Sequence, residues 1–131
     1  MELYAELTLP YPMVITKRSS KIYTLNVATT DSKGFMKRKA KTSFDETVVP
    51  IVECLSELRL SKLHLVCRFY YRTRARRDLD NNIYVLKFLN DLLVKQGVVP
   101  DDSMQYLSFE FRAGHYGADK DHVKVKIYGE Q

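Results

Sequence analysis

Alternating apolar and polar side chains predict β-strands in four parts of the chain. Residues 2–9 place leucine and alanine against tyrosine, glutamate and threonine, and two prolines follow at positions 10 and 12. This is the period of a half-buried strand with a firm end. The same alternation marks residues 62–71, 104–112 and 122–129, and a polar loop joins the last two. We therefore predict at least four strands.

Residues 13–41 are harder to interpret. The stretch KIYTLNV, residues 21–27, predicts a further strand, and the sequence TTDSKG that follows is typical of a turn. The stretch FMKRK, residues 35–39, could complete a hairpin.

Two segments predict helices. Ser43 is followed three residues later by Glu46, the spacing of a capping box, and this indicates a helix over residues 43–58. Pro50 within it allows a kink or a later start. Residues 81–95 have leucines and Ile83 at helical spacing, and Gly97 is suited to closing that helix.

This order of strands and helices predicts an α+β fold, with a small mixed sheet and two main helices packed on one face. At 131 residues the chain fits a single domain, residues 1–131. No apolar run approaches the roughly 20 residues of a membrane span. The N-terminus carries Glu2 and Glu6 instead of the basic start of a signal peptide, so we expect a cytoplasmic protein.

The cysteines and histidines do not suggest a zinc site. Cys54 and Cys67 lie in apolar segments without a second cysteine or a histidine at metal-binding spacing. We expect both to be buried thiols in a reducing compartment.

The net charge of +5 is unevenly distributed. Residues 17–41 contain eight lysines or arginines and one acid, and residues 68–77 contain five arginines and no acid. Such clusters suit a polyanion, although a solvated surface would look the same. We expect seven side chains to contact nucleic acid: Lys37, Arg38, Lys39, Arg72, Arg74, Arg76 and Arg77.

Two acidic pairs follow the second basic cluster. Asp78 and Asp80 form a D-x-D motif, and in an extended chain both side chains would project to the same side. Two such carboxylates suit Mg²⁺ or Mn²⁺, although D-x-D is more often a turn, and Asp80 could cap the next helix. Asp101 and Asp102 follow Pro100, and the intervening helix could return them to the sheet edge. Only one of that second pair should face the site.

A polar stripe runs along the second helix opposite its leucines. Asp80, Tyr84, Lys87, Asp91 and Lys95 recur at steps of three and four residues. Either Lys87 faces a phosphate near the metal, or it forms a weak surface ion pair with Asp91.

These motifs carry a family resemblance. The sequences RRDLDN and GVVPDDS, separated by a helix with LKFLNDLL, resemble the RusA family of Holliday junction resolvases, which are phage- and prophage-associated endodeoxyribonucleases. The first strand and its prolines are similar to that family too, whereas residues 13–41 depart from it. In the family the essential lysine lies nearer to D-x-D than Lys87 does, and Tyr84 occupies that nearer position.

The resemblance implies a homodimer that cuts two opposed strands of a four-way DNA junction with Mg²⁺, or with Mn²⁺ in its place. It implies catalytic and metal-binding roles for Asp78, Asp80 and Asp102, and a phosphate contact for Lys87. It also implies a bacterial or phage-infected cytoplasm and no nucleotide cofactor. Two alternatives stay open: a related nuclease for other branched DNA, and a non-catalytic module whose acids only order its arginines.

Overall fold

The computed structural model describes residues 1–131. The six strands are β1 (Glu2–Leu9), β2 (Met13–Ile15), β3 (Ser20–Ile22), β4 (Lys62–Tyr71), β5 (Leu107–Tyr116) and β6 (His122–Glu130). The helices are α1 (Leu25–Ala28), α2 (Phe35–Glu53), the 3-10 turn η1 (Leu79–Asn82) and α3 (Ile83–Lys95).

Four strands form the main sheet, in the order β1-β6-β4-β5. Strand β6 is antiparallel to both of its neighbours, whereas β4 and β5 are parallel, from Leu63 beside Leu107 to Tyr71 beside Tyr116. Strands β2 and β3 form a separate hairpin. The fold is therefore α+β with a mixed sheet, which confirms the coarse prediction.

Both main helices pack on the same face of the sheet. In β4 the alternate residues Leu63, Leu65 and Cys67 join one apolar core with Phe44 of α2 and Phe88 of α3. The side chains between them, such as His64 and Arg68, point to the other face, which no helix covers. Alternation in a strand thus separates an apolar face from a polar one.

The segment of residues 13–41 differs from the prediction. Of the predicted strand 21–27, only Lys21 and Ile22 lie in a strand, β3, and Leu25–Ala28 is helical. Residues 35–39 are not a strand but the first turns of α2, so Ser43 lies inside the helix instead of capping it. The stretch from Phe35 is rich in lysine, arginine, methionine and alanine, all good helix formers.

Two smaller predictions are also corrected. Strand β5 continues to Tyr116 because its pairing with β4 extends past Phe69 through an irregularity in register, so residues 113–116 are not loop. Cys54 is exposed at the end of α2, whereas Cys67 is buried, and burial raises the pKa of the Cys67 thiol to about 12.

No helix in the structure combines the length and the apolar character that crossing a membrane requires.

Candidate metal and nucleic-acid site

The acidic motif Asp78–Asp80 lies where the two parallel strands end. The chain leaves β4 at Tyr71, passes through an irregular loop of residues 72–78, and enters η1 and then α3. This loop and residues 113–116 of β5 enclose a hollow of about 130 Å³. Asp78 and Asn82 line it on one side.

Two asparagines hold η1 in place. The Asn82 side chain is buried, and its Nδ2 donates a hydrogen bond of 2.8 Å to the Tyr71 hydroxyl at the end of β4. Asn81 Oδ1 accepts a hydrogen bond of 2.9 Å from the backbone N–H of Asn26 in α1. The turn that carries Asp80 is therefore fixed both to the sheet and to helix α1, which lies in the segment of residues 13–41.

Gly114 allows β5 to close the other side of the hollow. A Cβ at this position would lie 2.3 Å from the Phe69 carbonyl oxygen, which is far inside van der Waals contact. A larger residue would push the end of β5 away from β4.

Asp78 and Asp80 are not the extended pair that the motif predicted. Asp78 is extended, with φ −89° and ψ 133°, but Asp80 lies in the first turn of η1. The reason is that η1 begins directly after Asp78. Asp80 also does not cap α3, because the residue at that position is Asn82.

The two carboxylates have different surroundings. Asp78 Oδ1 lies 3.4 Å from Arg76 Nη2, and both side chains are largely exposed. Asp80 is exposed and forms no ion pair or side-chain hydrogen bond within the chain. Asp80 is thus free to bind a ligand.

Asp102 does not join this pair within one chain. Helix α3 carries the chain back toward the start of β4, where the backbone N–H of Leu63 donates to the Tyr106 carbonyl and that of Tyr106 to Ser103. Asp102 precedes Ser103 and is exposed. Asp78 follows the other end of β4, so the two acids lie toward opposite ends of a strand of 10 residues, which is about 33 Å long at about 3.3 Å per residue. The expected return of the second acidic pair to the first is not observed in a single chain.

Lys87 has no acidic partner. Asp91 lies 3.6 Å from Lys41 Nζ of α2, so the alternative ion pair between Lys87 and Asp91 does not form. Lys87 is exposed, and its Nζ lies 5.6 Å from the centre of the Tyr84 ring. Lys37 Nζ lies 6.0 Å from the same ring. Two ammonium groups therefore flank Tyr84.

Tyr84 is mainly a packing residue. Its ring meets the Tyr23 ring edge-on at 4.7 Å and the Phe88 ring at 5.7 Å, and it is half-buried. The ammonium groups of Lys37 and Lys87 therefore lie near one aromatic cluster.

The arginines of the loop divide into two groups. Arg72, Arg74 and Arg76 are exposed. Arg77 points inward: its guanidinium lies 4.0 Å from the centre of the Tyr71 ring, and it donates to the Thr73 carbonyl at 2.9 Å. Arg77 thus packs on the sheet and stabilises the loop, whereas the other three side chains face solvent.

Lys37, Arg38 and Lys39 are exposed on the first turn of α2. Asp31 holds this turn, because its carboxylate accepts hydrogen bonds from the backbone N–H groups of Met36 and Lys37 at 3.1 and 2.9 Å. Partial burial alone would raise the pKa of Asp31, but these bonds and one from the Tyr23 hydroxyl outweigh it and lower that pKa.

Sequence reasoning missed Asn82 and the end of β5. Asn82 directly follows the D-x-D-N stretch, and a polar residue at a helix start is a capping signal that could have marked it. His115 and Tyr116, which line the hollow, fell in a predicted loop.

No cluster of three or more histidine, cysteine, aspartate or glutamate side chains in the chain has metal-binding geometry. Comparison with protein-family models and with curated proteins finds no match for this chain. The function is therefore argued from the residues themselves.

Proposed function

We propose that this chain is a structure-specific endodeoxyribonuclease of the RusA type that resolves four-way DNA junctions by Mg²⁺-dependent hydrolysis. One observation carries the proposal. Asp78 and Asp80 lie at an anchored turn that has cations on both sides along the chain: Arg76 is 3.4 Å from Asp78, and Lys37 and Lys87 lie near the ring of Tyr84, one helical turn beyond Asp80. Carboxylates between cations suit a substrate that brings both phosphates and a metal.

The donor set fits Mg²⁺. This ion is usually held by one or two carboxylates, with waters and substrate phosphate oxygens completing its coordination. Asp78 and Asp80 would supply the carboxylates, and Mn²⁺ could replace Mg²⁺ because it takes the same ligands. When bound, the metal would polarise the phosphodiester and lower the pKa of a water molecule.

The protein's own side chains would position the DNA and offset charge. Arg72, Arg74 and Arg76 would contact phosphates of an arm, which orients the substrate without reading its sequence. Lys87 has no acidic partner, so its ammonium group is available to stabilise the charge that develops on the scissile phosphate.

A homodimer is part of the proposal. Two opposed cuts require two equivalent sites, and a two-fold axis supplies them. A dimer would also give Asp102 a role, because the acid that lies far from Asp78 in its own chain could reach the site of the second copy.

Cleavage of a plasmid that extrudes a cruciform, with and without Mg²⁺, tests the proposal. We expect the plasmid to be linearised only with Mg²⁺. Oligonucleotide four-way junctions, flaps and linear duplexes then define the substrate, and we expect the junction to be cut fastest. A flap cut faster than the junction would instead indicate a nuclease for other branched DNA.

The ion pair between Arg76 and Asp78 favours a second candidate, a non-catalytic nucleic-acid-binding module. In that case Asp78 would only order the side chains of residues 72–78, which we call the arginine loop. Such a protein would bind the junction but leave the plasmid intact at every Mg²⁺ or Mn²⁺ concentration.

A further inference from the structure

The sheet face that no helix covers carries a compact basic patch. Lys124 of β6, Arg68 of β4 and Arg112 of β5 stand side by side in one row across three adjacent strands. Neighbouring strands are about 4.8 Å apart, so the row is about 10 Å long. Lys126 lies in the next row, beside Val66. We call this surface, centred on these four cations, the open face.

Most of these cations are uncompensated. Arg112 is paired, since its Nε and Nη2 lie 2.9 and 2.6 Å from Glu110 Oε2. That hydrogen bonding, and next that of His64, lowers the pKa of Glu110. Arg68, Lys124 and Lys126 form no ion pair, although Glu6 stands beside Lys126 in the register. Three positive charges thus remain available to a ligand.

The open face is also concave. Two adjoining hollows of about 270 and 150 Å³ share Val66, Arg68 and Lys126 in their lining. Val66 is only 8% exposed although it points away from the helices, because longer side chains surround it. An anionic group resting above Val66 would meet Arg68 and Lys126, while Glu110 and Glu6 each line the outer side of one hollow.

This patch continues into the arginine loop. The next row beyond Arg68 contains His122 and Tyr70, and Arg72 follows two residues after Tyr70. The backbone N–H of Arg72 is tied by a hydrogen bond of 2.7 Å to Asp121, at the start of β6. The open face therefore adjoins the loop before Asp78, with the row of Tyr70 and His122 and the carboxylate of Asp121 between the two groups of cations.

We propose that the open face binds the phosphate backbone of duplex DNA, as an arm that leads away from the Asp78–Asp80 site. The inference rests on the proposed function in one respect, namely that Asp78 and Asp80 mark the cleavage site. Duplex DNA carries one negative charge per about 1.7 Å of its axis, so a short arm offers each of these cations a phosphate.

Single-stranded DNA fits this face less well. Its binding relies on bases stacked on free aromatic rings. The Tyr70 ring is already stacked on His122 at 4.7 Å, meets His115 edge-on at 5.5 Å and has Lys124 Nζ 5.7 Å from its centre. The Tyr128 ring on this face is half-buried and lies 6.5 Å from the His64 ring, so the exposed groups of the face are mainly cations that suit phosphate contacts.

A second copy of the chain also fits less well. Two open faces pressed together would bring four cations from each copy, Arg68, Arg112, Lys124 and Lys126, against only two acids, Glu6 and Glu110. The excess of like charge opposes association.

Equilibrium binding without divalent metal tests the inference. The probes are a labelled linear duplex, a four-way junction with the same arms, and a single strand. The variants are Lys124→Gln and Lys126→Gln. Lys95→Gln at the far end of α3 is the matched control, since Lys95 is exposed like Lys124, whereas Lys126 is half-buried. We expect each open-face variant to lose about threefold in duplex and junction affinity and about one unit of salt-dependence slope. Lys95→Gln should behave as wild type.

Several outcomes would overturn the inference. Equal effects of Lys124→Gln and Lys95→Gln would exclude the open face from the duplex path. A loss confined to the single strand would assign the face to that ligand, and a change in sedimentation of the Lys124→Gln variant would assign it to a second copy. Because binding is measured without metal, a chain that binds but never cuts contradicts the proposed cleavage and leaves this inference intact.

Discussion

At the residue scale, a substitution of Asp80 is the clearest way to test cleavage without disturbing the fold. Its carboxylate is exposed and has no partner in the chain, so nothing in the fold depends on its charge. We predict that Asp80→Asn abolishes cleavage and leaves junction affinity unchanged or higher, because removing a negative charge beside phosphates does not weaken binding. Gel-based cleavage and anisotropy on the same junction measure both properties.

Asp119→Asn is the matched control for this variant. Asp119 is an exposed aspartate in the loop before β6. We expect the Asp119→Asn variant to cleave the junction as the wild type does. A folding defect or loss of binding in Asp80→Asn would instead assign Asp80 a structural role in the turn.

Lys87 gives the second prediction at this scale. We expect Lys87→Ala to slow single-turnover cleavage at least tenfold, about 1.4 kcal/mol of barrier, because it removes a positive charge from the phosphate. Tyr84→Phe should be mild, since it keeps the ring that packs on Tyr23 and Phe88. The opposite ranking would make Tyr84 the phosphate contact and Lys87 an ordinary surface residue.

At the element scale, the turn η1 depends on Asn82. We predict that Asn82→Ala destabilises the protein by about 1–3 kcal/mol, because it leaves the buried Tyr71 hydroxyl without its donor. Cleavage should fall as well, since Asp80 shares the turn. Denaturant unfolding measures the first effect, and Asn81→Ala is a control with a smaller expected loss because its contact is exposed. Equal stability of Asn82→Ala and wild type would contradict this view of the turn.

The start of α2 should respond to acid through Asp31. The pKa of Asp31 is lowered in the folded protein, so its stabilisation is present above the ordinary value of 3.8 and is lost as the pH falls through the lower, folded-state value. We predict that wild type is more stable than Asp31→Asn near neutral pH and that the gap closes below pH 3.8. Thermal unfolding across this range measures it. A gap that does not change with pH would exclude the carboxylate charge as the cause.

The elements also show what the sequence could predict. Strands 2–9, 62–71 and 122–129 were predicted correctly to within a residue, because each has one buried and one exposed face. The start of α2 was missed because only Met36 and Ala40 mark its buried stripe before Phe44, among several exposed cations. Its cap comes from Asp31, which lies four residues before Phe35 and has no standard capping spacing.

At the scale of the whole molecule, the question is how Asp102 reaches the site. We predict that Asp80→Asn and Asp102→Asn are each inactive alone, and that mixing them under exchange conditions restores nicking of one strand. A mixed dimer would contain one site with both substitutions and one with neither, if Asp102 acts across the dimer. A mixture that stays inactive would exclude a shared site, and full activity of Asp102→Asn alone would place Asp102 outside the chemistry.

The spacing of Asp78, Asp80 and Asp102 could not reveal this separation. The sequence predicted the helix between the two acidic pairs but not that β5 would run parallel to β4. A parallel partner must begin at the same end of the sheet as β4, so the chain reaches Asp102 at the end opposite to Asp78. The direction of strand pairing depends on the whole sheet. The D-x-D motif and the arginines before it are local features, so the sequence alone could reveal them.

The central claim is metal-dependent resolution of a four-way junction, and strand-specific cleavage tests it most directly. Each of the four strands of a synthetic junction is labelled in turn and incubated with the wild-type chain, with and without Mg²⁺. We predict paired nicks at symmetric positions in two opposed strands, only with Mg²⁺, and none with Asp80→Asn. A junction that is bound but left uncut with Mg²⁺ and with Mn²⁺ would contradict the account.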